Sequence, residues 1–262
     1  MRHELSQRVY EHLCSRLLSG SLAGGDKVSE LAIARETGAS RSPVREAMVR
    51  LAAEGLLDRV PKLGAFVRTP SPRDVQELFE VRRWLEAGAA ASLATEPAPD
   101  DLRRLVGIHE DVLDVARRFY AQGGVWLSPE LSERLGTLDS EFHLVIAQAT
   151  GNTLGLRMLV RTHMMIRVGR YTLDAYSREQ VARLYTDHDL VLRAVRRGDP
   201  EQAWAQMNAH VRWTGDAVSE YFRTHQAATK SPARPGRDQD WPEDMRRLLA
   251  SGSRPPTVTA RD

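Results

Sequence analysis

The chain has very little to cross-link it: in 262 residues there is a single cysteine, Cys14, which excludes an internal disulfide framework. It also lacks any apolar run near the ~20 residues that a membrane span needs. Its first residues, MRHELSQRVYEHL, mix charge with helical spacing where a secretory leader would carry an unbroken apolar core. These absences point to a reducing cytoplasm and to no membrane partner. An excess of charge of either sign is missing too, with a formal net charge of +2. Residues 1–70 hold eleven Lys/Arg against eight Asp/Glu, a surplus that permits a nucleic-acid partner without requiring one.

What is present divides the chain into segments. Leu5, Val9, Leu13 and Leu17 recur every fourth residue before Gly20, which predicts a first helix. SELAIARET reads as a second helix ending at Gly38. SRSPVREAMVRLAAEG reads as a third, with Ser42 as cap, Pro43 at the first helical position and Gly55 as stop. LLDRV and GAFVRT flank PKLG, the pattern of a tight hairpin. Three helices and a hairpin make a winged helix-turn-helix over residues 1–70. Pro70 and Pro72 mark its end. Six helical stretches follow, at 73–95, 99–120, 129–149, 153–172, 177–197 and 200–224, with short connections that imply an antiparallel bundle over 71–225. Residues 226–262 are rich in Pro, Gly, Ser, Arg and Asp, a composition expected to be disordered. The fold class is therefore mainly α.

In a helix-turn-helix, the start of the second motif helix enters the major groove. Here it carries Arg41, Ser42 and Arg45, while Val44, Ala47, Met48 and Leu51 fall on the inward side. An arginine fork reaches two acceptors of guanine at once, so Arg41 and Arg45 are the candidates for base or phosphate contact. Ser40 and Ser42 suit phosphates. Gly64, placed at the wing tip, would let backbone approach the neighbouring groove, with Lys62 supplying charge. The competing reading is that these arginines only solvate a helix face.

SELAIARETGASRSPVREAMVRLAAEGLLDRVPKLGAFV resembles the DNA-binding domain of GntR-superfamily bacterial transcription factors over nearly forty residues. The resemblance implies that Arg41 and Arg45 touch DNA, and adds Arg50 as a further contact.

DSEFH raises a different chemistry. On a helix, Asp139 and His143 share one face. His188 and His210 sit in later helices, so one carboxylate and three imidazoles from three helices match the ligand set of a divalent transition metal such as zinc, nickel or manganese. His3, His12, His109, His163 and His225 are read as surface or satisfied buried residues. DSEFHLVIAQATGN, LRAVRRGDPEQA and MNAH resemble the FCD effector-binding domain of FadR-like GntR regulators. That resemblance implies that Asp139, His143, His188 and His210 bind metal. LFEVRRWLEAGAAASLA is similar to the first helix of the same domain, which implies that Arg82 pairs with an effector carboxylate. Against this stands a structural pair between Arg82 and Glu86, one turn apart. Asn152 is read as a helix cap, and the connection before Asp139 as longer than is usual in the family.

Together these readings describe a homodimeric regulator of transcription. It binds a palindromic double-stranded operator and responds to a small carboxylate bound near the metal, with repression as the default. Two alternatives remain open at this point: a metal-dependent hydrolase fused to a DNA-binding module, and a regulator whose metal is purely structural. Against the hydrolase, Glu141 lies on the wrong side of its helix to serve as a base, and the orientation of Asp189 is unfixed.

Overall fold

A computed structural model describes residues 2–19, 21–170 and 176–225; the proposed tail, 226–262, lies outside the described residues. Helix α1 (Arg2–Ser19) buries Val9, Leu13 and Leu17, while Leu5 is 38% exposed because the stripe runs off the edge of the core at the helix start. Helix α2 (Glu30–Thr37) begins at Ser29, whose hydroxyl accepts from the amide of Ala32, and stops at Gly38 with a left-handed φ of 67°.

Helix α3 (Arg41–Ala53) has Ser40 rather than Ser42 at its N-cap position, two residues earlier than its sequence predicts, with no side-chain capping hydrogen bond. Pro43 then sits third in the helix. The first four amides have no intrahelical acceptor, so the N–H that proline lacks is not missed there. Val44, Ala47, Met48 and Leu51 are buried as expected.

The wing is a three-stranded antiparallel sheet in the order β1–β3–β2, formed by β1 (Lys27–Val28), β2 (Leu57–Val60) and β3 (Gly64–Val67). Strand β1 is an addition to the expected hairpin; two residues are too short to show alternation. The turn closes with the amide of Leu63 donating to the carbonyl of Val60 at 3.1 Å. Lys62 occupies the turn with φ of 65°, and Gly64, which also has a positive φ of 112°, is the first residue of β3, paired with Val60.

Six helices follow: α4 (Pro72–Thr95), α5 (Pro99–Gln122), α6 (Pro129–Ala149), α7 (Thr153–Arg170), α8 (Arg178–Arg196) and α9 (Pro200–His225). Their starts are chemically marked. Ser71 and Asp74 form a reciprocal capping box on α4, as Ser177 and Gln180 do on α8, and Ser128 caps α6 just ahead of Pro129. Asn152 accepts from the amide of Gly155 at 2.9 Å, the capping role expected of it. The connection before α6 shrinks to residues 123–128, because α5 continues to Gln122. It is fastened to the start of α8, where the Leu127 amide donates to the Tyr176 carbonyl and Arg178 donates to the Gly124 carbonyl.

The bundle core joins Phe79, Ala87 and Ala90 of α4 with Phe142 and Ile146 of α6, Val191 and Val195 of α8, and Met207 and Val211 of α9. Helices α4 and α9 approach each other tightly at Gly215, where an added Cβ would lie 2.8 Å from the Phe79 ring and 2.9 Å from its Cβ. Gly215→Ala is therefore expected to destabilise the protein by roughly 1–3 kcal/mol, the usual cost of overpacking a core. A urea midpoint unchanged from the wild type would contradict this packing.

Candidate metal centre and DNA-binding surface

Helix periodicity delivers the metal candidates to one point. Asp139 and His143 lie one turn apart on α6, and α8 and α9 bring His188 and His210 against them. From Asp139 Oδ1, the Nε2 atoms of His188, His143 and His210 stand at 3.4, 3.6 and 3.9 Å. One ligand atom from each of the four residues lies within 4.8 Å of all the others. Ligands that share an ion at about 2 Å each are separated by little more than 3 Å, so the set is close to a coordination sphere. All four residues are at most 2% exposed.

The polar atoms are left incomplete by the protein itself. Both ring nitrogens of His143 and His188, and Nε2 of His210, are buried with no aligned hydrogen-bond partner. Buried donors and acceptors are nearly always satisfied, so a cluster of orphans converging on one carboxylate calls for a cation. Electrostatics agree. Burial pushes the His188 imidazole down to about 3 and also lowers His210, which keeps both rings neutral and able to ligate. Burial alone would raise Asp139, but contacts with His143 and His188 hold its carboxyl well below the usual range. Burial likewise opposes charge on His143, yet Glu86 and Asp139 raise that ring to about 9, so without an ion it favours a proton that it would have to release to ligate. The donor set fits a divalent transition metal.

A second layer surrounds these ligands, and the sequence did not reveal it. Glu86 Oε2 lies 2.6 Å from His143 Nδ1, and Asp187 Oδ2 lies 3.3 Å from His210 Nδ1. Carboxylates on the far nitrogen of metal-binding histidines fix which nitrogen faces the ion. The His188 ring instead stacks on Phe142, with centroids 4.0 Å apart. His163, read as a satisfied buried residue, is one: its Nε2 is 3.0 Å from Glu86 Oε1. His109 is also buried, and stacks on Tyr185 away from the cluster. Arg82 points into the bundle and pairs with Glu86, its Nε donating at 2.6 Å and its second nitrogen at 3.3 Å. The structural pair weighed from the sequence is thus formed. Glu141 is exposed, and Asp189 faces Arg193 and His109 rather than the cluster.

On the winged helix, Arg41, Ser42 and Arg45 are all exposed at the start of α3. Arg45 is engaged by a fork on Glu30 of α2, at 3.2 and 3.0 Å. That pair is open to solvent and therefore weak enough to exchange for a nucleic-acid acceptor. Arg50 differs. It donates to Glu54 and to Gln7 and lies 3.7 Å over the Tyr10 ring, a set of contacts that joins α3 to α1. Lys62 and Gly64 are exposed at the wing turn.

Comparison with known proteins places both halves. Residues 5–67 match the family of bacterial regulatory proteins named gntR, and residues 77–212 match the FCD domain. The HTH-type transcriptional regulator LutR of Bacillus subtilis is 31% identical over 225 residues, spanning 78% of this chain and 96% of its own. The gluconate operon transcriptional repressor of the same organism is 24% identical over 232 residues, spanning 85% and 88%. The structure of McbR/YncC from E. coli superposes with a TM-score of 0.71 at 20% identity, over 83% of this chain and 98% of that one, which shows the common fold. The chain belongs to the GntR family of bacterial regulatory proteins and carries an FCD domain.

Proposed function

We propose that the protein is a metal-loaded, ligand-responsive repressor that acts as a homodimer on a palindromic operator in the cytoplasm. The observation that carries the reading is the buried convergence of Asp139, His143, His188 and His210, their nitrogens unsatisfied, in a chain whose other half is a winged helix. Zinc suits a set of three imidazoles and a carboxylate, and nickel or manganese could take the same donors. When bound, the metal supplies a Lewis acid to which a small organic acid can attach.

The chain's own residues would do the rest. Neutral His188 and His210 offer lone pairs, Asp139 compensates the ion's charge, and Glu86 and Asp187 orient His143 and His210. Arg82 would pair with the effector's carboxylate in competition with Glu86. Because the ligating groups are closed off from solvent, admitting an acid requires neighbouring helices to move. Such movement gives the effector a differential affinity for two arrangements of the protein, which is what regulation needs. On DNA, Arg41, Ser42 and Arg45 would meet base edges or phosphates from the start of α3, and Lys62 and Gly64 would lie over the adjacent backbone. Arg50, already committed within the domain, would act by holding α3. A hydrolytic reading finds less support: Glu141 and Asp189 lie outside the cluster, and Glu86 and Asp187 are engaged by Arg82 and Arg183.

Zinc supplied at about 100 times its dissociation constant should stabilise the wild type by ~2.7 kcal/mol. His188→Ala should remove that stabilisation and weaken zinc at least about 100-fold in competition with a chelating indicator, since losing a ligand outweighs the 10–100-fold cost of losing an outer partner. A wild type whose melting ignores zinc, and which never draws the ion from the indicator, would defeat the metal reading.

For DNA, Arg41→Ala and Arg45→Ala should each reduce affinity for a specific operator about 10- to 100-fold, the range set by one bidentate contact. Lys62→Ala should weaken specific and mixed-sequence DNA alike and flatten the salt dependence by about one unit of slope. Equal loss on both kinds of DNA for Arg41→Ala would move that residue from base reading to phosphate contact.

A further inference from the structure

Helix α7 has two occupied faces. Met164, 4% exposed, lies in the winged-helix core with Val9 and Leu13 of α1 and Leu51 of α3, and Val160 and Met165 pack beside it. From the other face, Ile166 enters the core of the bundle, and His163 meets Glu86 at 3.0 Å. That single carboxylate stands between two imidazoles. Its Oε1 contacts His163 of α7, and its Oε2 contacts Nδ1 of His143, whose Nε2 faces the metal cluster. Arg82 grips it from its own helix, Nε to Oε1 at 2.6 Å. Residues 163 and 164 are adjacent, so the group that senses Glu86 and the group that fills the winged-helix core are borne by one peptide unit.

The physical consequence is a short, continuous contact path. A carboxylate held by three partners cannot follow one of them without altering its hold on the others. Rigid elements with packed faces at each end transmit such a shift as a displacement of the whole helix. We propose that Glu86 and His163 are positioning residues that report occupancy of the metal centre to the winged helix, with α7 as the carrier and Met164 as its point of delivery. The proposal rests on the metal reading of the four-residue cluster and adds the route by which that centre is read.

The test uses the full chain and zinc alone, with two measurements: zinc affinity by indicator competition, and amide hydrogen exchange followed by mass spectrometry with and without zinc. In the wild type, zinc slows exchange in α6, α8 and α9, and also in the α1 segment around Val9–Leu17, by about 5-fold or more, the lower end of typical couplings. His163→Leu removes the contact with Glu86 while filling its volume. It should keep zinc affinity within about 10-fold, since it touches no ligand directly, and lose the α1 response. His163→Gln, which restores a hydrogen-bond donor, should recover that response. Met164→Ala cuts the path at its far end and should also keep zinc and lose the α1 response, so that either variant decides the matter if the other folds poorly. Slowing confined to α6, α8 and α9 in the wild type, or an α1 response that persists in both variants, overturns the proposal and leaves the metal reading standing. Failure of the wild type to bind zinc defeats the metal reading itself and the proposal with it.

Discussion

The cost of burying Asp139 and Glu86 organises the effector half of this protein. An isolated carboxylate taken out of water is prohibitively expensive, so each must be met by charge or by hydrogen bonds. Glu86 is met by Arg82, from the same face of α4 one turn earlier. Asp139 is surrounded by three imidazoles. Two of those rings are held neutral by burial, so neither offsets its charge. His143, between Asp139 and Glu86, favours positive charge, and a divalent cation held by the four residues would engage ring nitrogens that lack an aligned hydrogen bond. Breaking a buried pair costs about 3–5 kcal/mol, so Arg82 serves the fold before it serves any ligand.

The same constraint explains which parts of the site were legible in the sequence. Asp139 and His143 announce themselves because a helix places residues four apart on one face, and His188 and His210 follow from the motifs around them. Glu86 and His163 belong to α4 and α7, and nothing in the spacing within either helix says that they meet. Arg82 and Glu86 show the limit more sharply. Their i,i+4 spacing supports both an ion pair and a ligand-binding arginine, and only packing, which leaves Arg82 1% exposed against Glu86, distinguishes the resting arrangement.

In the fold, long amphipathic segments are legible from their spacing: the bundle helices begin and end within two residues of the expected bounds, the expected end of α7 at 172 lying outside the described residues. Short elements are not. Strand β1 offers no period to detect, and α3 starts at Arg41 because Ser40, not Ser42, holds the extended backbone before it. At the wing, the sequence predicts glycine at the tip, whereas Lys62 lies there in a left-handed conformation and Gly64, also with positive φ, opens β3. This places a cation in the exposed turn of the hairpin.

Helix α7 shows why a segment's composition can be clear while its purpose stays hidden. LRMLVRTHMMIR is apolar around most of its circumference, and a helix of that kind must be buried on more than one side. The other bundle helices account for one side. The other needs a second layer, and the winged helix supplies it through the core that takes in Met164. A linker marked by prolines at 70 and 72 suggests two bodies free of each other, yet Arg68 lies 3.8 Å from Asp74 across it and α7 fills the seam. The winged helix is therefore packed on the helix that borders the outer shell of the Asp139, His143, His188 and His210 cluster. A change confined to that shell does not need a long mechanical chain to reach the residues behind α3.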